Sequence, residues 1–140
     1  MTRTVLVGHD GTSAAREALV WAIEYAAATG ARVRVLRGWA MASAPRPASM
    51  TPGYVPPRED FEAAVLDDLR ADVAPVLAEV GADVEVEYQA HHGSVADELV
   101  RTSAATDLLV VGSRGSVTDR CVRRAACPVV VVRGEGHPDD

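Results

Sequence analysis

Short apolar runs alternate with longer amphipathic stretches along nearly the whole chain. Val5-Leu6-Val7 has the continuous apolar character of a buried strand, and Gly8-His9-Asp10-Gly11 ends it. A helix is predicted from Thr12 or Ser13, either one an N-cap, to about Thr29. Its Leu19, Ala22, Ile23 and Ala26 share one face, and Gly30 closes it. Arg32 to Arg37, with Val33, Val35 and Leu36, is a second strand ending at Gly38-Trp39. Residues 40–57 hold five prolines (Pro45, Pro47, Pro52, Pro56, Pro57) and neither periodicity, which makes a long loop of the mobile or functional kind.

The next helix is expected from Glu59 to Val80, with Phe61, Val65, Leu69, Val73, Val76 and Val80 in phase and Pro75 kinking or splitting it. Val84, Val86 and Tyr88 alternate as a half-buried strand over 83–90. Ser94-Val95-Ala96-Asp97 has capping-box spacing and opens a helix with Ala96, Leu99, Val100 and Ser103 turned inward. Leu108 to Val111 is the fourth strand. Ser116-Val117-Thr118-Asp119 repeats the capping-box spacing before a short basic helix to about Ala126. Pro128 to Val132 is the last strand, so the domain spans 1–133 and 134–140 is a polar tail.

Five strands alternating with four helices predict an α/β fold, a parallel sheet covered by helices on both faces. Ligands of such sheets sit at the carboxyl ends of the strands, where strand order reverses. Glycine and polar residues collect after the first, second and fourth strands, which marks those loops as the candidate site.

Composition narrows the chemistry. A chain of 140 residues, 48% apolar, makes one globular domain. Net charge −6 disfavours nucleic acid as the partner. Lysine is absent, which excludes a Walker P-loop, a kinase fold and Schiff-base enzymes. Cys121 and Cys127 are too few for a disulfide scaffold and lack C-x-x-C spacing, so both read as small core residues. The opening residues carry only a three-residue apolar run, unlike a signal peptide, and no apolar stretch nears the ~18 residues of a membrane span. A soluble cytoplasmic protein is the expectation.

Gly8-His9-Asp10-Gly11 and Gly112-Ser113-Arg114-Gly115 are the two turns with candidate chemistry. Glycine there lets backbone approach a ligand, and the following helix offers free N–H groups to a phosphate. Tight strand-to-helix turns require the same glycines, so either turn taken singly is equally well read as structural.

Three ordered blocks resemble the universal stress protein family over residues 3–133: Val5 to Ser13, Asp107 to Gly115, and Ser116-Val117-Thr118 through Cys127-Pro128 to Val132. The resemblance implies sheet order 3-2-1-4-5 and a homodimer joined through the last strand, Pro128, Val129, Val130, Val131 and Val132. For one branch of the family it also implies ATP in the crevice. On that pattern Asp10 contacts adenine and Gly38 stands where a small apolar side chain lies under the base. Val111, Gly112, Arg114, Gly115, Ser116, Val117 and Thr118 follow the phosphates.

The family's glycine pattern after strand four is broken here. Nine spacer residues and a third glycine that precede Ser116 in the nucleotide-binding branch are missing, because Ser116 follows Gly115 directly. That loop supplies donors to phosphates and ribose, each charge-assisted bond worth about 1.5–3 kcal/mol. Losing two weakens ATP binding roughly a hundredfold or more. Asp119 in the first helical turn repels phosphate as well. The expectation is a degenerate site in a non-enzymatic regulatory or protective homodimer with a protein partner, requiring no cofactor. The alternative is a protein that retains ATP or AMP, with Arg114, Arg120, Arg123 and Arg124 partly replacing the loop.

Other chemistries fare worse. His9, Asp10, His91 and His92 lack any familiar metal spacing and read as polar loop residues. No G-x-S-x-G elbow frames a serine. A response-regulator receiver would need an acidic pair and a lysine. Trp21 and Trp39 read as core or crevice lining.

Overall fold

The computed structural model describes residues 2–81, 83–113 and 115–134. Its elements are β1 (Thr4–Gly8), α1 (Ser13–Thr29), β2 (Arg32–Trp39), α2 (Arg58–Val80), β3 (Val86–His92), α3 (Val95–Ser103), β4 (Leu108–Gly112), α4 (Ser116–Arg124) and β5 (Val129–Val132). The strands form one sheet in the order β3-β2-β1-β4-β5, with every neighbouring pair parallel. This is the α/β fold and the strand order expected.

Alternation along the strands separates two cores. Val5, Val7, Val33, Val35 and Val110 face α1 and α2, where Leu19, Ile23, Leu69, Val73 and Val76 meet them. Leu6, Leu36, Leu109 and Val111 face the other way, onto Leu99 of α3 and Cys121 of α4. A third cluster, Trp39, Phe61, Val65 and Ala90, closes the top of the α2 side beneath Ala44 and Met50. Capping explains the helix starts: the Thr12 hydroxyl accepts from the Ala15 amide, and Ser94 accepts from Asp97. Residues 40–57 contain only one isolated bridge, Thr51 to Tyr54. They are held partly by the third core and by Ser49 donating to Asp60 at 2.6 Å.

Several local expectations are corrected. Pro75 does not split α2, which continues to Val80 with Val73 and Val76 fully buried on one side and the proline ring exposed on the other. β3 begins at Val86 and reaches His92, three residues later than expected at its start. Its register against β2, from Val33↔Val86 to Trp39↔His92, sets those limits, and Val84 packs on the core from outside the strand. On α3, Glu98 is buried where Val100 was expected. Its carboxylate accepts from Arg101 at 2.7 and 2.6 Å and from Gln89 at 3.1 Å, which offsets the cost of burying the charge. α4 stops at Arg124, and β5 starts at Val129. Pro128 lies just outside β5, although its carbonyl accepts from Leu109.

Candidate functional site

A cavity of about 350 Å³ opens at the carboxyl ends of the strands. The first turn contributes Gly8, His9, Asp10 and Thr12, and the end of β2 contributes Gly38 and Trp39. Gly93, Val95 and Leu99 come from the start of α3, and Val111, Gly112, Val117 and Thr118 from the β4–α4 turn. Ala40 and Ser43, from the start of the long loop, complete the rim. The crevice therefore gathers Asp10, Gly38, Val111, Gly112, Val117 and Thr118 of the sequence-predicted set. Gly115 and Ser116 lie beside it without lining it, and Arg114 falls outside the described residues.

The β1–α1 turn is built around two polar knots. Asp10 Oδ1 accepts from the Thr12 amide at 3.0 Å and the Thr12 hydroxyl at 2.6 Å. Partial burial alone would raise this carboxyl, but the Thr12 bonds outweigh it and hold Asp10 below the usual carboxylate range. His9 is buried, and its Nδ1 lies 2.7 Å from Arg37 Nη2 and 3.3 Å from the Gly11 amide. Arg37 also donates to the His9 carbonyl at 3.0 Å and pairs with Asp72 at 2.7 Å. Burial, and then the Arg37 guanidinium, depress the His9 imidazole against the opposing pull of Asp72 and Asp10. Both neighbours of Nδ1 are N–H donors, so the neutral ring carries its proton on Nε2.

The β4–α4 turn differs from the expectation. Gly115, not Ser116, is the N-cap, with φ +99, and no side chain caps the helix. Ser116 is already helical, so its hydroxyl is displaced from the cap position, and only residues 113–115 separate β4 from α4. Thr118 Oγ1 donates to the Gly112 carbonyl at 2.7 Å and ties the turn down.

Electrostatics of the crevice are sparse. Among the described residues Asp10 is the one ionised side chain that lines it, and no arginine does. Arg120 pairs with Asp97 at 2.6 Å, and neither Arg123 nor Arg124 reaches the cavity. Gly38 does not leave open space under a ligand: a Cβ there would stand 2.9 Å from Val95 Cβ and 3.3 Å from the Gly93 carbonyl. Val95 occupies that place instead. The sequence alone had only the capping role of Ser94-Val95-Ala96-Asp97 to suggest for it.

The remaining candidates separate. His91 Nδ1 lies 3.7 Å from Glu98, and His92 stacks on Trp39 with ring centroids 4.4 Å apart. These histidines belong to the end of β3, and among the described residues no three metal-ligating groups come together. Trp39 continues the β2 alternation of Val33, Val35 and Arg37, so its indole packs on Phe61 on the α2 side. Trp21 stacks on Tyr25 at the edge of the first core. Burial pushes the Cys121 thiol up, and burial with nearby Asp107 does the same at Cys127, which favours the protonated thiol at both.

Residues 1–133 match the family model described as Universal stress protein family. The chain belongs to the universal stress protein family. Among solved structures, a universal stress protein in complex with cAMP is 26% identical with TM-score 0.68, the alignment covering 93% of this chain and 95% of that one. A family member from Burkholderia pseudomallei is 30% identical, with TM-score 0.62 and coverage of 92% and 94%. One from Arabidopsis thaliana with AMP bound shares the fold at 23% identity and TM-score 0.66, with 99% of each chain covered. Among curated proteins no sequence matches. Among the described residues of this universal stress protein, no helix is long and apolar enough to cross a membrane.

Proposed function

We propose that this universal stress protein is a non-enzymatic regulatory or protective homodimer whose ATP site has degenerated. The observation that carries the reading is the β4–α4 turn: three residues join strand to helix where the nucleotide-binding branch inserts its phosphate loop. A triphosphate would meet the Asp10 carboxylate and no arginine among the described lining residues. The protein requires no cofactor, acts in the cytoplasm and works through a protein partner.

The sheet edges support dimerisation through β5. At the β3 edge, Glu87 pairs with Arg32 and Arg34 at 3.2 and 3.0 Å, and Arg70 lies over Tyr88. β5 is four valines with no charge, and Val131 is 41% exposed. An apolar edge of this kind is suited to cover by a second copy.

A second reading keeps a smaller ligand at Asp10, Gly38, Val111, Gly112, Arg114, Gly115, Ser116, Val117 and Thr118. The cavity of about 350 Å³ favours it, as does the cAMP complex of the 26%-identical relative. Calorimetric titration with Mg·ATP to millimolar concentration, with cAMP and AMP in parallel, tests both. No heat with ATP is expected. Saturable micromolar ATP binding overturns the degenerate site, and binding of cAMP or AMP alone favours the second reading.

A further inference from the structure

The polar cluster on the α2 side of the β1–α1 turn is not used by the proposed function, and it holds His9, the residue that precedes Asp10. Arg37 makes three contacts there: to the His9 carbonyl at 3.0 Å, to His9 Nδ1 at 2.7 Å and to Asp72 at 2.7 Å. The Gly11 amide makes a second contact to the same ring nitrogen at 3.3 Å. Both contacts require a lone pair on Nδ1 and therefore a neutral imidazole.

We propose that His9 and Arg37 form a proton-operated latch: protonating His9 expels the Arg37 guanidinium from the ring and releases the turn that places Asp10 in the crevice. The proton comes from solvent and binds at Nδ1, where it replaces two accepted hydrogen bonds with an N–H facing a cation. The charged groups facing the ring are Arg37 from β2, Asp72 from α2 and Asp10 from the same turn. Asp72 is the half-exposed partner that retains Arg37, so the guanidinium swings toward α2 and away from His9. Asp10 and Thr12, the next polar residues of the turn, line the cavity, so its shape and charge placement change with the latch. No bound ligand is needed for this response.

The linkage has a definite sign. Burial and Arg37 lower the folded His9 pKa, so the unfolded chain, near the ordinary value of about 6.5, takes up the proton first. The latch stabilises the fold above that value, and its contribution is lost as pH falls through the folded pKa. Amide and arginine side-chain NMR spectra of the full chain, followed from pH 7.5 to 4.5, test the proposal. The Gly11 amide and the Arg37 Nε–H are expected to shift together with a midpoint below about 6.5, and to stay flat in His9→Asn, whose side chain cannot take the proton. Asp10, held below the usual carboxylate range, stays ionised across that window. Flat signals in the wild type, or the same titration in H9N, overturn the latch. If H9N does not fold, Arg37→Met serves: removing the cation moves the Gly11 midpoint upward, and an unchanged midpoint overturns the proposal.

Discussion

Gly38 shows how a single residue is read differently from sequence and from structure. On the family's pattern it stands where a small apolar side chain lies under the base, but in the fold its missing Cβ is the space into which Val95 packs. Gly8 is similar, with Leu99 Cδ1 3.1 Å from where its Cβ would stand. These glycines bring α3 close to the sheet and set the crevice floor. Gly38→Val should therefore destabilise the fold by about 1–3 kcal/mol through overpacking, measured by denaturant unfolding. Val95→Ala in the same chain should recover part of that loss, because the two side chains compete for one volume. That Asp10 lies at the strand-end crevice was legible in the sequence. Val95 was not, since nothing in its local pattern shows that α3 docks against the end of β2.

At the scale of elements, Pro75 is the instructive case. A proline in a helix interior removes one hydrogen bond and is disfavoured by about 3 kcal/mol relative to alanine. α2 nevertheless continues, held by Leu69, Val73 and Val76 in the core on the opposite face. Pro75→Ala should raise the unfolding free energy by about 1–2 kcal/mol, less than the full helix cost because proline also stiffens the unfolded chain. A denaturant midpoint that falls would show that the proline is accommodated without strain. The same scale explains the misplaced start of β3. Alternation of Val84 and Val86 continues past the strand end, and only pairing with β2 decides which residues are strand. The cap of α4 moved for a related reason: Gly115 at φ +99 turns the chain one residue earlier than the Ser-x-x-Asp spacing suggests.

For the whole molecule, the two sheet edges differ in what they leave exposed. Charge protects β3, through Glu87 and its arginines, and nothing comparable lies on β5. Val131→Lys should convert the proposed dimer to monomer, with at least tenfold weaker association in sedimentation velocity. An unchanged wild-type dimer in that variant would move the interface elsewhere, and a monomeric wild type would remove it. Cys121 is fully buried, and burial pushes both thiols up.

Local pattern determined the order of strands and helices along the chain, narrowed the first helix cap to Thr12 or Ser13, and placed the cap at Ser94. Each follows from propensity, periodicity or spacing between near neighbours in the chain. Family membership was legible for the same reason, since its blocks are continuous runs of the chain. Tertiary structure decided the rest: that Val95 fills the place beside Gly38, that Glu98 is buried with Arg101 and Gln89, and that Arg37 and Asp72 meet His9. Those contacts join residues from different elements, and their energies depend on burial and on distances that pairing and packing alone establish.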